Sequence, residues 1–375
     1  MFLALREMRR AKVRFGLLAA AIALLMFLIL AQQAIQNGLL TAFVGAIEHQ
    51  SAPVLVYSTD GQRTLQGSVI SPPLERRIRG VPGVAAAGRI GQSTFTVRVD
   101  GGGDSDAAII GYERAELGAP DELSDGRLPR AAGEAVGSAP GFSLGDRVRV
   151  QAAGAPGGAG RTLRVVGLAR DAQLQVTPTL FVAWPDYVAA VEAVNPDVTS
   201  VPPSALGVRP APGVSAAALA QRVNDASEDA DALTRAQAAE KSPGVAQVRQ
   251  SFRVIFLLYG LVAPLVTGLF FLIITFQKSA ALTLLRAIGA RSAVLVRSLL
   301  VQVVLVMAGG LALGVALYTP LSQMTLGSIT LRFDAGAVVL WAVLLLALGL
   351  LSAVVAARRV LRIDPIEATT GGGGR

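Results

Sequence analysis

The chain has 375 residues, 52% of them hydrophobic and 16% charged, and a formal net charge of +8 from 34 basic and 26 acidic residues. It has no cysteine and one histidine. Disulfides and thiolate metal sites are thereby excluded, and ordinary zinc sites and histidine-based triads lack their ligands.

Residues 1–14 set Phe2, Leu5 and Met8 against Arg6, Arg9 and Arg10, the pattern of an amphipathic helix lying on a membrane surface. Residues 15–36 are uncharged and apolar, long enough to cross a ~30 Å hydrocarbon layer as a helix. The run exceeds the ~7–15 residues of a cleaved signal core, so it is expected to stay as a span.

A polar block follows, residues 37–250. The helical pattern continues past Gly38 through Leu39, Leu40, Phe43, Val44 and Ile47. Residues 53–57 read as a strand closed by Asp60-Gly61. Residues 73–79 read as a short helix stopped at Gly80, and 94–99 alternate like a half-buried strand. Residues 107–111 are another apolar run. Residues 146–150 and 162–166 read as two strands joined by the Gly-rich loop 152–160, and 180–182 as a further strand. Residues 215–230 read as a helix capped by Ser215, and a helix near 245–251 feeds the second span. The expectation is an α+β domain of short strands, in one body or two lobes.

The block offers no catalytic set. His49 falls beside the helical continuation of the first span and is expected to be solvent-exposed. Asp104 with Asp106, and Asp121 with Glu122 and Asp125, sit in sequence where Asp favours turns. Gly101, Gly102 and Gly103 have no phosphate-loop lysine after them, and no Walker A pattern occurs anywhere.

Three further spans follow at 254–276, 298–318 and 335–357. None of the four carries an acidic or basic residue, which disfavours a self-contained proton-coupled carrier. Pro264, with Gly260 and Gly268, suggests a kink or close packing. Gly310 and Gly314 are a small-xxx-small pair that lets helices approach closely, within the chain or to a second copy. Between the second and third spans, residues 277–297 carry a helical pattern with Leu282, Leu285 and Ile288 on one side. It ends at Gly289 and is rimmed by Lys278, Arg286 and Arg291. An apolar ridge on a loop facing water invites a protein partner.

Residues 37–250 carry 19 basic and 22 acidic residues, whereas basic residues cluster at 6–14, 278–297 and 358–362. The positive-inside rule then places both termini in the cytoplasm and residues 37–250 outside. The basic excess is accounted for by topology, so no nucleic-acid partner is expected.

Leu284-Leu285-Arg286-Ala287-Ile288-Gly289-Ala290 resembles a segment of ABC-transporter permeases of the FtsX/MacB type. The spaced glycines of residues 302–314 resemble the same family, as does the basic tail from Arg358-Arg359 to Asp364-Pro365. Gly80-Val81-Pro82-Gly83-Val84, Gly145-Asp146-Arg147-Val148 and Val165-Val166-Gly167 resemble landmarks of its periplasmic-core-like domain. The chain departs from the family pattern at Ala281 and Gln302, where an acid is common, and at Ala356, where a proline is common.

The resemblance implies four transmembrane helices in a one-plus-three layout, with a large α+β extracytoplasmic domain between the first and second. It implies a bacterial plasma-membrane permease without catalytic, cofactor-binding or metal residues of its own. It would pair with a second permease copy, identical or related, and bind two copies of an ABC ATPase that holds ATP and Mg. Leu282, Leu285, Arg286, Ile288, Gly289 and Arg291 are the expected ATPase contact, and residues 358–375 the cytoplasmic tail. ATPase closure would move the outer domain to export or extract a lipid, peptide or drug-like molecule. The alternative is a mechanotransmitter that regulates an extracytoplasmic enzyme, such as a cell-wall hydrolase, without transport. Either allows an extracytoplasmic protein partner.

Overall fold

The structure, a computed structural model, describes residues 12–139, 141–151, 160–277, 292–326 and 329–361. The elements in chain order are α1 (Lys12–Glu48), β1 (Val54–Ser58), α2 (Pro72–Arg79), β2 (Val84–Val99), β3 (Asp104–Tyr112), β4 (Asp125–Gly126) and β5 (Glu134–Ala139). Then come β6 (Arg147–Val150), β7 (Thr162–Arg170), β8 (Thr179–Ala183), α3 (Trp184–Val194), β9 (Ala205–Pro210), α4 (Ala216–Ala226), β10 (Ala230–Thr234) and α5 (Arg235–Glu240). The chain ends with α6 (Val245–Gln277), α7 (Ser292–Leu321), β11 (Thr325–Leu326), β12 (Ile329–Thr330) and α8 (Ala335–Leu361). They form two compact units, one holding Asn37–Arg249 with Thr325–Thr330, the other the remaining helical segments.

In the helical unit, α1, α6, α7 and α8 each contain a stretch long and apolar enough to cross a membrane. Gly310 and Gly314 bring α7 onto α1. A Cβ at Gly310 would lie 2.8 Å from the Ala19 carbonyl oxygen, and one at Gly314 2.7 Å from that of Ala23. That approach occurs within one chain. On α6, Pro264 leaves part of the backbone ladder open, and Ser352 of α8 donates its hydroxyl to the Pro264 carbonyl at 3.1 Å. Phe256 and Trp341 stack nearby, centroids 5.3 Å apart. Helix α7 begins at Ser292, inside the segment expected to be connecting loop.

The second unit is built from two lobes that share a strand. The first lobe is a four-stranded antiparallel sheet in the order β10-β1-β9-β2. Helix α2 follows β1 and α4 follows β9, the split β-α-β pattern. Both helices are capped by serines: Ser71 accepts the Leu74 N–H and Ser215 that of Ala218. Their apolar stripes, Leu74 and Ile78, Leu219 and Val223, close over Val54, Val56, Leu206 and Val208.

The second lobe is inserted between β2 and β9. Its strands close a ring, β2-β3-β8-β5-β7-β6 and back to β2. Closure leaves no sheet edge in the ring. Phe95, Val97, Ile109, Val148, Leu163, Val165, Leu180 and Val182 fill its interior. Helix α3 stops one end. Its Tyr187 ring lies over the register pair Gly91 and Gly111, where any Cβ would come within 2.3 Å of Tyr187. The Tyr187 hydroxyl bonds Ser93 at 3.0 Å. Asp186 anchors the first turn of α3, accepting the Gly133 N–H at 3.0 Å and pairing with Arg161.

Two expectations are corrected here. The strand expected at 94–99 starts at Val84 and is 16 residues long, because its first half pairs with β9 and its second with β3 and β6. The helix expected to reach residue 230 stops at Ala226. Ser227 turns extended, and Asn224 holds the Ala232 backbone, so that Ala230 opens β10.

Candidate functional site

Helix α1 runs unbroken through 37 residues, and its last turns enter the core of the extracytoplasmic unit. Val44, Ala46 and Ile47 are buried there against Ile90, Leu117 and Phe181. Two glycines two turns apart, Gly38 and Gly45, clear one face for close approach by backbone. At Gly38 a Cβ would lie 2.6 Å from Ile329 and 2.9 Å from the Thr330 carbonyl oxygen, so the β11–β12 hairpin seats on the helix. At Gly45 a Cβ would lie only 1.9 Å from the Asp171 carbonyl oxygen.

The β7–β8 loop, Asp171 to Thr177, grips the helix through the main chain. Ala46 donates its N–H to the Gln173 carbonyl, while Gln175 and Val176 donate theirs to the carbonyls of Phe43 and Ala42, each at 2.8 Å. Asp171, Gln175 and Val176 all have positive φ, at 58°, 52° and 62°. For a β-branched residue such as Val176 this is a costly conformation. The Gln173 side-chain amide is buried without a partner among the described residues. Non-glycine strain and an orphaned amide in one seven-residue loop mark a segment that its contact with α1 holds in place. Phe43 also packs on Gly244, which has a φ of +89° and precedes α6.

Ion pairs brace each lobe. Burial pushes the Glu75 carboxyl up, but hydrogen bonds from Arg89 and Arg79 more than reverse it and hold it below the usual carboxylate range. Arg89 lies at 2.9 Å and Arg79 at 2.8 Å, and Arg79 continues to Glu113 at 3.0 Å. On the ring, Arg127 and the backbone N–H groups of Arg130 and Ala131 hold Glu134 at about 2.

Among the residues singled out in the sequence, 278–291 lie outside the described residues, and with them Leu282, Leu285, Arg286, Ile288, Gly289 and Arg291. Arg358 and Arg359 fall in the last turns of α8, while Asp364 and Pro365 are outside the described residues. His49 is half-buried and sits 3.9 Å from Asp121, which pairs with Arg235 at 2.7 Å. Asp104 pairs with Arg98, and Asp106 accepts from Thr96. No group of three metal-ligating side chains occurs among the described residues. Sequence reasoning missed the clamp loop. The one available signal was the seven-residue spacing of Gly38 and Gly45.

The chain is 24% identical to an uncharacterized ABC transporter permease of Mycobacterium tuberculosis, across 99% of both chains. Over 30% of its length it is 28% identical to a putative hemin transport system permease protein HrtB of Staphylococcus epidermidis, covering 32% of that protein. The periplasmic region of MacB from Actinobacillus actinomycetemcomitans overlays 51% of this chain and 92% of its own, at 12% identity and a TM-score of 0.36. The family model of the MacB-like periplasmic core domain matches residues 15–226, from the first span to the end of α4. That match takes in more than half of the chain, which therefore belongs to the MacB-like family and is an ABC-transporter permease of the FtsX/MacB type.

Proposed function

We propose that two copies of this permease join two separate ATPase subunits, and that ATP-driven displacement of α1 reaches the extracytoplasmic unit through the Gly45 clamp. The observation that carries this reading is the clamp: a strained loop bonded main chain to main chain onto a helix that also supplies a candidate span. Side-chain contacts slip as rotamers change. Three main-chain hydrogen bonds fix the loop to the helix axis, so a shift of the helix pulls β7 and β8 with it. The ring and the four-stranded lobe share β2, which spreads that pull over both lobes. The output is export or extraction of a lipid, peptide or drug-like molecule. The uncharged spans and the mechanical link favour movement of the outer unit over a pore. The same link serves a second reading, in which the moving unit regulates an extracytoplasmic enzyme.

The ATPase contact is assigned to residues 279–291, with Leu285 central, and both termini are assigned to the cytoplasm. The test uses the full chain with its ATPase in nanodiscs. Leu285→Asp is expected to weaken ATPase association about tenfold or more, since burying a leucine contributes about 1.5–3 kcal/mol. Gly45→Ala is expected to keep association and lower permease-stimulated hydrolysis. Unchanged stimulation in both variants rules the transmission route out. For orientation, Ser105→Cys should react with an impermeant thiol reagent in intact cells and Thr370→Cys should not. The reverse pattern overturns the topology.

A further inference from the structure

The side of the ring where β6 pairs with β2 and β7 carries a cluster of arginines. A groove of about 420 Å³ is lined there by Arg98, Asp100, Gly101, Arg147, Arg149 and Thr162. Along β2, Arg98 is seven residues past the Gly91 that seats Tyr187, about 23 Å on. Along β7, Thr162 is nine residues before Asp171 of the clamp, about 30 Å away.

The strand register sets like charges against each other twice: Arg98 lies opposite Arg149, and Arg147 opposite Arg164. Directly opposed like charges destabilise a sheet. Arg98 is held by Asp104 at 2.8 Å. The guanidinium groups of Arg147, Arg149 and Arg164 have no acidic partner within ion-pair distance among the described residues. The β6–β7 connection brings no carboxylate, since residues 152–159 are Ala, Gly and Pro alone. This occurs in a block that is otherwise net acidic, 22 acidic residues against 19 basic. A local rule broken once inside the groove and once at its border, where Arg164 adjoins it, points to a binding site.

We propose that this groove docks an acidic, extended polypeptide segment of an extracytoplasmic protein. Arg147 and Arg149 are alternate residues of β6, about 6.8 Å apart, and the cross-strand pairs are about 5 Å apart. Carboxylates on alternate residues of an extended peptide share the first spacing, and each guanidinium presents a planar fork to one carboxylate. Among the described residues the lining has no apolar side chain to take an acyl chain, which favours a peptide over a lipid. The inference does not depend on the transport reading, only on the groove facing water.

The full chain in nanodiscs is titrated with a fluorescent peptide of alternating Asp and Ser. The comparison probes are a Lys–Ser peptide, tripolyphosphate, and vesicles containing phosphatidylglycerol. The acidic peptide should bind, weaken as salt rises, and lose about tenfold or more in affinity with Arg147→Gln and Arg149→Gln together. That double variant should melt no lower than the parent, because it removes opposed charges. The proposal is overturned by no binding up to about 1 mM, by equal binding to both proteins, by tripolyphosphate or vesicles outcompeting the peptide, or by a double variant that melts lower.

Discussion

Alanine at Gly45 is the sharpest probe of the clamp. The new methyl would sit 1.9 Å from the Asp171 carbonyl oxygen and 2.9 Å from its carbon. Ordinary contact needs about 3.5–4.0 Å, so the loop must retreat by well over 1 Å. That retreat breaks three hydrogen bonds of 2.8 Å, each contributing about 1 kcal/mol net. Residual overpacking adds about 1–3 kcal/mol. The better helix propensity of alanine returns about 1 kcal/mol. The expected loss is about 3–5 kcal/mol, concentrated in the β7–β8 loop. Gly16→Ala, in the same helix with nothing within 4 Å, isolates the propensity gain and should be neutral or stabilising. Hydrogen exchange of the full chain in detergent reads the effect directly. The amides of Gln175 and Val176 should lose protection in Gly45→Ala and keep it in Gly16→Ala. If Gly45→Ala exchanges and melts like Gly16→Ala, the loop is not anchored to α1 and the transmission argument fails with it.

Gly111→Ala drives a methyl into Tyr187 and should cost about 1–3 kcal/mol, read as a lower melting temperature and lost near-UV signal from Trp184 and Tyr187; an unchanged melt would mean that α3 does not stop the ring. Gly314→Val should separate α1 from α7 and destabilise the helical unit in detergent, since its Cβ would meet the Ala23 carbonyl oxygen at 2.7 Å; stability equal to the parent would refute that packing. Glu134 titrates at about 2 when folded, against 4.5 when free, so the unfolded chain binds more protons between those values. Its contribution is complete above about pH 4.5 and is lost as pH falls toward 2. Glu134→Gln should flatten the stability profile in that window, and an unaltered slope would contradict the assignment.

Local chemistry made some elements legible and left others silent. The first strand, the capped α2 and the β6–β7 pair announce themselves through Asp60-Gly61, Gly80 and alternating valines beside a glycine-rich connection. The first half of β2 does not. Ala85, Ala86, Ala87 and Gly88 have poor strand propensity, and only pairing with β9, distant in sequence, fixes them. Strands β5 and β9 are small-residue segments buried in the unit, without the alternation that a half-exposed strand shows. The clamp was hidden for a related reason. Left-handed Gln175 and Val176 run against intrinsic preference, so only the surrounding structure determines them. Glycines Gly310 and Gly314 were readable as a packing pair, but their partner helix was not.

The insertion of the ring between β2 and β9 has a consequence for biogenesis. Strand β1 is buried along its length, and its partner β10 arrives about 170 residues later, as Ser58 pairs with Ala230. At a synthesis rate of roughly 5–20 residues per second, β1 waits roughly 10–30 s with its hydrogen-bonding groups unpaired. The ring can close first, because its members lie between Val84 and Ala183. The four-stranded lobe closes last, around a strand that was made first. With no cysteine in the chain, no disulfide can hold the ends together meanwhile. The vulnerable period of this permease therefore falls before its second span is made, when a Val-Leu-Val-Tyr segment is open to any other strand it meets.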